Sequence, residues 1–178
     1  MDKLNADQIR KSRPKLASLK QKQIKRNPIV LVLDNVLDTY NIGSFFRLAD
    51  AIAAQTIYLC GPVVVTPPNI KIHRASVGTW KWTNWQHFDK TLDCINMLKK
   101  QEYQIVSCEL DKKSIPYNKA RYSAPLAIVA GNESTGINQD IINISDLIVE
   151  IPMYGINKSL NALIATSIIS YQAITQII

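Results

Sequence analysis

Ile151-Pro152-Met153-Tyr154-Gly155-Ile156-Asn157-Lys158-Ser159-Leu160-Asn161 joins a short apolar run to a long one. Beyond it, Ile164, Ala165, Ile168, Ile169 and Tyr171 recur with the spacing of a buried helical face. Ser159 and Asn161 stand where this closing helix, expected over 159–178, begins. Both are good N-cap residues. At i and i+2 they point to different sides, so one cap cannot use both, and Asn161 is left over. A packed helix that spends its first turn on polar side chains presents them to something.

Upstream, apolar runs alternate with helical patterns. Ile29 to Leu33 is continuously apolar, as for a strand covered on both faces. A helix is expected from Ile42 to Ala54, then a strand over Thr56–Cys60. Residues 62–87 read as irregular and hold all three tryptophans. Asp89 is placed to cap a helix ending at Lys100. Tyr103–Cys108, Leu126–Ala130 and Leu147–Ile151 read as strands, and Asn138–Ile144 as a short helix. This alternation predicts an α/β domain with a mainly parallel sheet flanked by helices.

Two further polar segments follow strands. Asn41-Ile42-Gly43 opens the first helix, where backbone N–H groups favour anions, and Arg47 has a guanidinium suited to forking onto phosphate. By themselves these residues are equally an Asn cap and a surface Arg. Gly131-Asn132-Glu133-Ser134-Thr135-Gly136 follows the Leu126–Ala130 strand, at the carboxyl end where open α/β sheets bind ligands. Glu133, its only acid, could pair with Arg47 or hold a ligand hydroxyl. The loop lacks the Lys-Ser/Thr of a P-loop, and no G-x-G-x-x-G follows the first strand, which argues against an ordinary dinucleotide-binding protein.

The net charge of +7 is unevenly spread. Residues 1–28 hold nine Lys/Arg against Asp2 and Asp7, whereas residues 29–178 hold twelve charges of each sign. A basic arm, residues 1–27, thus precedes a neutral body, residues 28–178. Within the arm Ser12 is placed to cap a short helix with Leu16, Leu19 and Ile24 on a thin apolar stripe. Such an arm suits a polyanion, or merely aids solubility. Three scattered cysteines, Cys60, Cys94 and Cys108, argue against a disulfide framework and a zinc site. No apolar run is long enough to span a bilayer. The expectation is a soluble, reduced, cytoplasmic protein without metal.

Taken in order, the three polar segments resemble the three motifs of the SpoU/TrmH family of RNA ribose methyltransferases, part of the SPOUT superfamily. The first motif is carried by Asp38, Asn41, Gly43, Arg47, Ala49 and Ala51, the second by Gly131, Glu133 and Gly136, and the third by the whole of Ile151–Asn161. The chain departs from the family pattern at Thr39, where Pro is usual, at Ala53, often Gly, and at Leu163, often Ser.

The resemblance implies a C-terminal trefoil knot and a site for S-adenosylmethionine held by backbone at Cys108, Gly131 and the segment from Ile151 through Met153 and Ser159 to Leu160. It implies methyl transfer to a ribose 2′-hydroxyl of RNA, tRNA favoured over rRNA, with Arg47, Asn41, Glu133, Ser159 and Asn161 as catalytic residues. It further implies a homodimer in which Arg47 of one subunit completes the other's site, with the first-motif and closing helices at the interface. The basic arm would contact RNA, and so would His73 and Arg74 of a segment resembling the family's substrate-side loop. Trp80, Trp82 and Trp85 can stack on bases, although packing is the preferred reading for them and for Tyr154. The alternative is a non-catalytic RNA-binding protein that keeps the fold.

Overall fold

Alternate residues of each apolar run bury against opposite sides of one sheet, which is why the runs are unbroken. The computed structural model describes Gln8 and residues 24–178; the helix expected after Ser12 lies outside the described residues. The strands are β1 (Asn27–Asp34), β2 (Ala54–Cys60), β3 (Trp85–Phe88), β4 (Gln104–Cys108), β5 (Ile115–Pro116), β6 (Leu126–Ala130) and β7 (Leu147–Glu150). They lie in the order β3-β2-β1-β6-β4-β7-β5, and every pairing is parallel.

Among residues 24–178 the helices are α1 (Thr39–Ala51), α2 (Ile70–Ser76), α3 (Thr91–Lys100), α4 (Gln139–Ile144) and α5 (Ala162–Ile177). On one face Leu31, Leu33, Leu59 and Ile128 form a core with Phe45 and Phe46 of α1 and Ile169 and Ala173 of α5. On the other, Val30, Val32, Ile105 and Val129 pack with Ile95 and Leu98 of α3 and Ile141 and Ile142 of α4. Each such buried side chain contributes about 1.5–3 kcal/mol, so the two cores hold the strand ends in fixed register.

At the carboxyl end of β1, Asp34 is buried, 1 % exposed. Its carboxylate accepts from Thr91 Oγ1 at 2.5 Å, Asn138 N at 2.8 Å and Asn35 Nδ2 at 2.9 Å. These bonds offset the cost of burying a charge and tie the starts of α3 and α4 to the central strand. At the opposite end, Arg26 forks onto Ala54 O at 3.2 Å and Trp82 O at 3.1 Å. Arg26, on the arm side of the expected boundary at residue 28, is therefore bonded to the body.

Several sequence expectations need correction. The first helix starts at Thr39 because Asp38 caps it, its side chain accepting from Tyr40 N and Asn41 N. Asn41 is thus not the cap. Residues 62–87 are not wholly irregular: they hold α2, a 3₁₀ turn at Thr79–Lys81 and most of β3. Lys90, not Asp89, occupies the cap of α3, with no side-chain bond. The closing helix starts at Ala162 and buries Thr166, Ile169, Ser170 and Ala173, while Ile164 and Tyr171 face outward. The small residues of that face fit close against the sheet beside Ile169, which is buried as expected.

Gly43 sets the approach of α1 and α2. A Cβ there would lie 2.6 Å from Ala75 Cβ and 2.8 Å from Ile72 O. Gly43→Ala forces the helices apart and is expected to cost about 1–3 kcal/mol. A urea melt measures this, and an unchanged midpoint would contradict the tight crossing.

Candidate active site

The carboxyl ends of β4, β6 and β7 open into a cavity of about 420 Å³, a size ordinary for a small-molecule site. Its wall comes from Cys108 and Glu109 at the end of β4, the loop from Gly131 to Gly136 after β6, Glu150 and Ile151 at the end of β7, and Ser159 to Asn161. Val149, Ala130, Leu160 and Ala165 supply apolar surface, and Glu109, Asn132, Glu133, Glu150, Lys158 and Ser159 supply polar groups.

The loop after β6 is folded by Asn132 and two glycines. Asn132 Oδ1 accepts from Ser134 N at 2.8 Å and Thr135 N at 3.1 Å, and its Nδ2 donates to Asn35 O at 2.8 Å. A Cβ on Gly131 would lie 2.5 Å from Ile137 N. Gly136 has φ of +70°, and a Cβ there would strike the Glu109 carboxylate. The loop thus needs glycine at both places, and its tightness leaves the cavity open beside it.

Glu133 joins the three polar segments. Its carboxylate accepts from Leu37 N and Asp38 N, both at 3.3 Å, and from Asn41 Nδ2 at 2.9 Å. Asn41 Oδ1 accepts in turn from Asn161 Nδ2 at 3.3 Å. Asn161 Oδ1 caps α5, accepting from Leu163 N at 2.9 Å and Ile164 N at 3.4 Å. Asn161 is therefore both the cap and the link to Asn41. The residue left over is Ser159, which lines the cavity and caps nothing, reversing the expected division of labour.

Residues 28–171 match the sequence profile of the SpoU rRNA Methylase family. The chain belongs to that family. Among relatives, it is 30% identical over 150 residues to a tRNA (guanosine(18)-2′-O)-methyltransferase of Aquifex aeolicus, covering 84% of this chain and 70% of that one. Its fold superposes on the crystal structure of an A. aeolicus TrmH/SpoU tRNA modifying enzyme with TM-score 0.78 at 28% identity, covering 90% of this chain and 84% of the other. An AdoMet-bound rRNA methyltransferase from Sinorhizobium meliloti gives TM-score 0.79 at 27% identity, over 89% of this chain and 60% of that one.

Of the residues assigned from the SpoU family pattern, Cys108, Gly131, Glu133, Ile151, Ser159, Leu160 and Asn161 line the cavity. Asn41 touches its rim through Glu133 and Asn161. Met153 does not line it. Arg47 does not line it either: it is exposed and makes no ion pair with Glu133, whose oxygens are spent on Leu37, Asp38 and Asn41. Tyr154 is not packed but 97% exposed. Trp82 is buried and donates Nε1 to Asp50 Oδ1 at 2.8 Å, while Trp80 and Trp85 lie partly buried against the core. Glu109, Asn132 and Glu150 carry no role in the sequence reading, although each is a polar residue at or within two residues of the carboxyl end of a strand.

Burial, with the nearby Glu109 charge, pushes the Cys108 thiol up to about 12. It therefore stays protonated beside the cavity and is no nucleophile. Raising it from the ordinary 9.0 lowers the thiolate fraction below pH 9 by roughly a thousandfold. At pH 8.5, mass spectrometry of iodoacetamide-treated native protein should find Cys108 unlabelled while the urea-unfolded chain is labelled. Equal labelling in both states would show the thiol open and ionisable.

Proposed function

We propose that this chain is a cytoplasmic, S-adenosylmethionine-dependent methyltransferase acting on ribose 2′-hydroxyls of RNA, with tRNA the favoured substrate. The observation that carries this is the hydrogen-bonded chain Glu133–Asn41–Asn161 at the mouth of the cavity. It brings the three family segments together where an α/β sheet binds its ligand.

The cavity suits the cofactor: Val149, Ala130, Leu160 and Ala165 give it apolar surface, its loop is kept close by Gly131 and Gly136, and polar side chains stand around it. Cys108, Gly131, Ile151, Ser159 and Leu160 would hold S-adenosylmethionine. Bound there, it supplies a methyl group activated by a sulfonium. The C-terminal knot is part of the same proposal. The chain between β4 and β6 swings outward to pair β5 beyond β7, and α5 lies against this excursion, with Gln176 bonded to Tyr122 N at 3.0 Å and Ala120 O at 3.1 Å.

The chain's own residues position the ribose and manage its charge. Glu133 fixes Asn41, and Asn41 with Asn161 and the unengaged hydroxyl of Ser159 aligns the sugar. Alignment alone can remove about 7–11 kcal/mol from the barrier. Arg47 is always cationic, so its role is to grip the adjacent phosphate and stabilise negative charge developing on the 2′-oxygen. Arg47 stands two turns after Tyr40 on the exposed side of α1, away from its own cavity. Ile164 and Tyr171 form a matching exposed stripe on α5. A homodimer that joins these stripes would cover the apolar surface and carry Arg47 to the neighbour's site.

Arg47→Ala and Arg47→Lys should each nearly abolish methyl transfer to bulk tRNA, and Asn161→Ala should do the same. Mixing Arg47→Ala with Asn161→Ala subunits should restore about a quarter of the activity, because half the dimers would then hold one intact shared site. No recovery on mixing would contradict the shared site. An unchanged single-turnover rate for Arg47→Ala at saturating RNA would remove Arg47 from the chemistry.

The basic arm joins the body at Arg26, at the end of β1 remote from the cavity, and we assign it to RNA phosphates away from the target nucleotide. Deleting residues 2–24 should weaken RNA binding and flatten its salt dependence, with cofactor affinity unchanged. Parallel salt slopes for both forms, measured by filter binding, would assign the arm to solubility.

A further inference from the structure

Two acids stand side by side where the cofactor cavity meets the sheet. In the β4–β7 ladder Cys108 is opposite Val149, and Glu109 N donates to Val149 O at 3.1 Å. The next position on each chain is an acid, Glu109 and Glu150, and both line the cavity. Neither is a loose surface side chain. Glu109 accepts from Ile137 N through Oε2 at 2.8 Å and from Leu110 N through Oε1 at 3.0 Å. Glu150 Oε2 accepts from Ser114 Oγ at 2.6 Å. Gly136, lacking a Cβ, leaves room for the Glu109 carboxylate.

Both carboxylates line one cavity, so a cation bound there meets negative charge on the wall. With Glu133, already engaged at the rim, three acids line the cavity against Lys158 alone, in a chain whose net charge is +7. The local field therefore runs opposite to that of the whole molecule.

We infer that Glu109 and Glu150 form an anionic wall that favours the positively charged methyl donor over its spent, uncharged-sulfur product. This rests on the cofactor reading above. The donor has one unit of positive charge that the thioether product lacks. Loss of the sulfonium charge on transfer removes an attraction to both carboxylates, so the product is held less tightly and leaves. The wall is thus a specificity device for the donor state and acts alongside the backbone cradle, which contacts what donor and product share.

Titration calorimetry on the full chain tests this with three ligands: S-adenosylmethionine, S-adenosylhomocysteine, and sinefungin, which carries an amine where the donor has its sulfonium methyl. Glu109→Gln and Glu150→Gln should each lower affinity for the two cationic ligands by about tenfold and change product affinity by less than about threefold. Glu150→Gln keeps an oxygen acceptor for Ser114, so it serves if Glu109→Gln disturbs the Gly136 loop. Equal losses for donor and product would assign the acids to a group common to both, and unchanged affinities would leave them without a role; either result overturns the inference. Failure of the unsubstituted protein to bind the donor would instead overturn the cofactor reading, and this inference with it.

Discussion

One carboxylate holds the site in shape. Glu133 belongs to a loop after β6, yet each of its bonds goes to the start of α1: two backbone N–H groups and the Asn41 amide. A charged acceptor makes such bonds stronger than neutral ones. Asn41, so fixed, meets Asn161 at the head of α5. Segments ninety or more residues apart are thereby locked at one edge of the sheet. Without the acid, the exposed Asn41–Asn161 contact would have to hold against water by itself.

This bonding also explains why the fold tolerates so polar a junction. The strands behind it are sealed on both faces, so the strand ends do not move with the loops. Asp34 anchors α3 and α4 in the same way on the other face. Two acids at neighbouring strand ends thus do related work, one buried to fix the scaffold, the other at the rim to shape the site.

The strands were legible in the sequence because a sheet covered on both sides needs unbroken apolar runs, and Ile29–Leu33 and Leu126–Ala130 are such runs. The elements missed are short. β5 has two residues, β3 four and α2 seven, too few for a period to emerge, and tertiary contacts rather than pattern hold them. The closing helix misled in a different way. Apolar spacing put Ile164 and Tyr171 on the inward face with Ile169, but close packing against the sheet selected Thr166, Ser170 and Ala173 beside Ile169, and a buried hydroxyl can be satisfied by a carbonyl within the helix. Thr166 does this by donating to Ala162 O at 2.7 Å. The third motif located Asn161 correctly, yet its capping role depends on where the helix starts, which spacing could not decide between two good caps. The outward position of Arg47 follows from helical geometry, but a single sequence shows only that a face is free and not what meets it.

The separation of charge along the sheet has a physical consequence for the proposed activity. Substrate RNA is a polyanion, and Glu109, Glu133 and Glu150 would repel it from the cavity. The basic arm departs from the far end of β1, eight residues away along the strand, or roughly 26 Å at the usual rise. That exceeds the screening length of about 8 Å in physiological salt. Attraction of RNA by the arm would add affinity of its own, apart from the contacts made at the acidic cavity. A strong cation such as Arg47 is then needed at the rim, where the reacting sugar must approach acids that disfavour its phosphates. The need for a charge there, and the outward position of Arg47 on its own subunit, are met together if the guanidinium comes from a second copy of the chain.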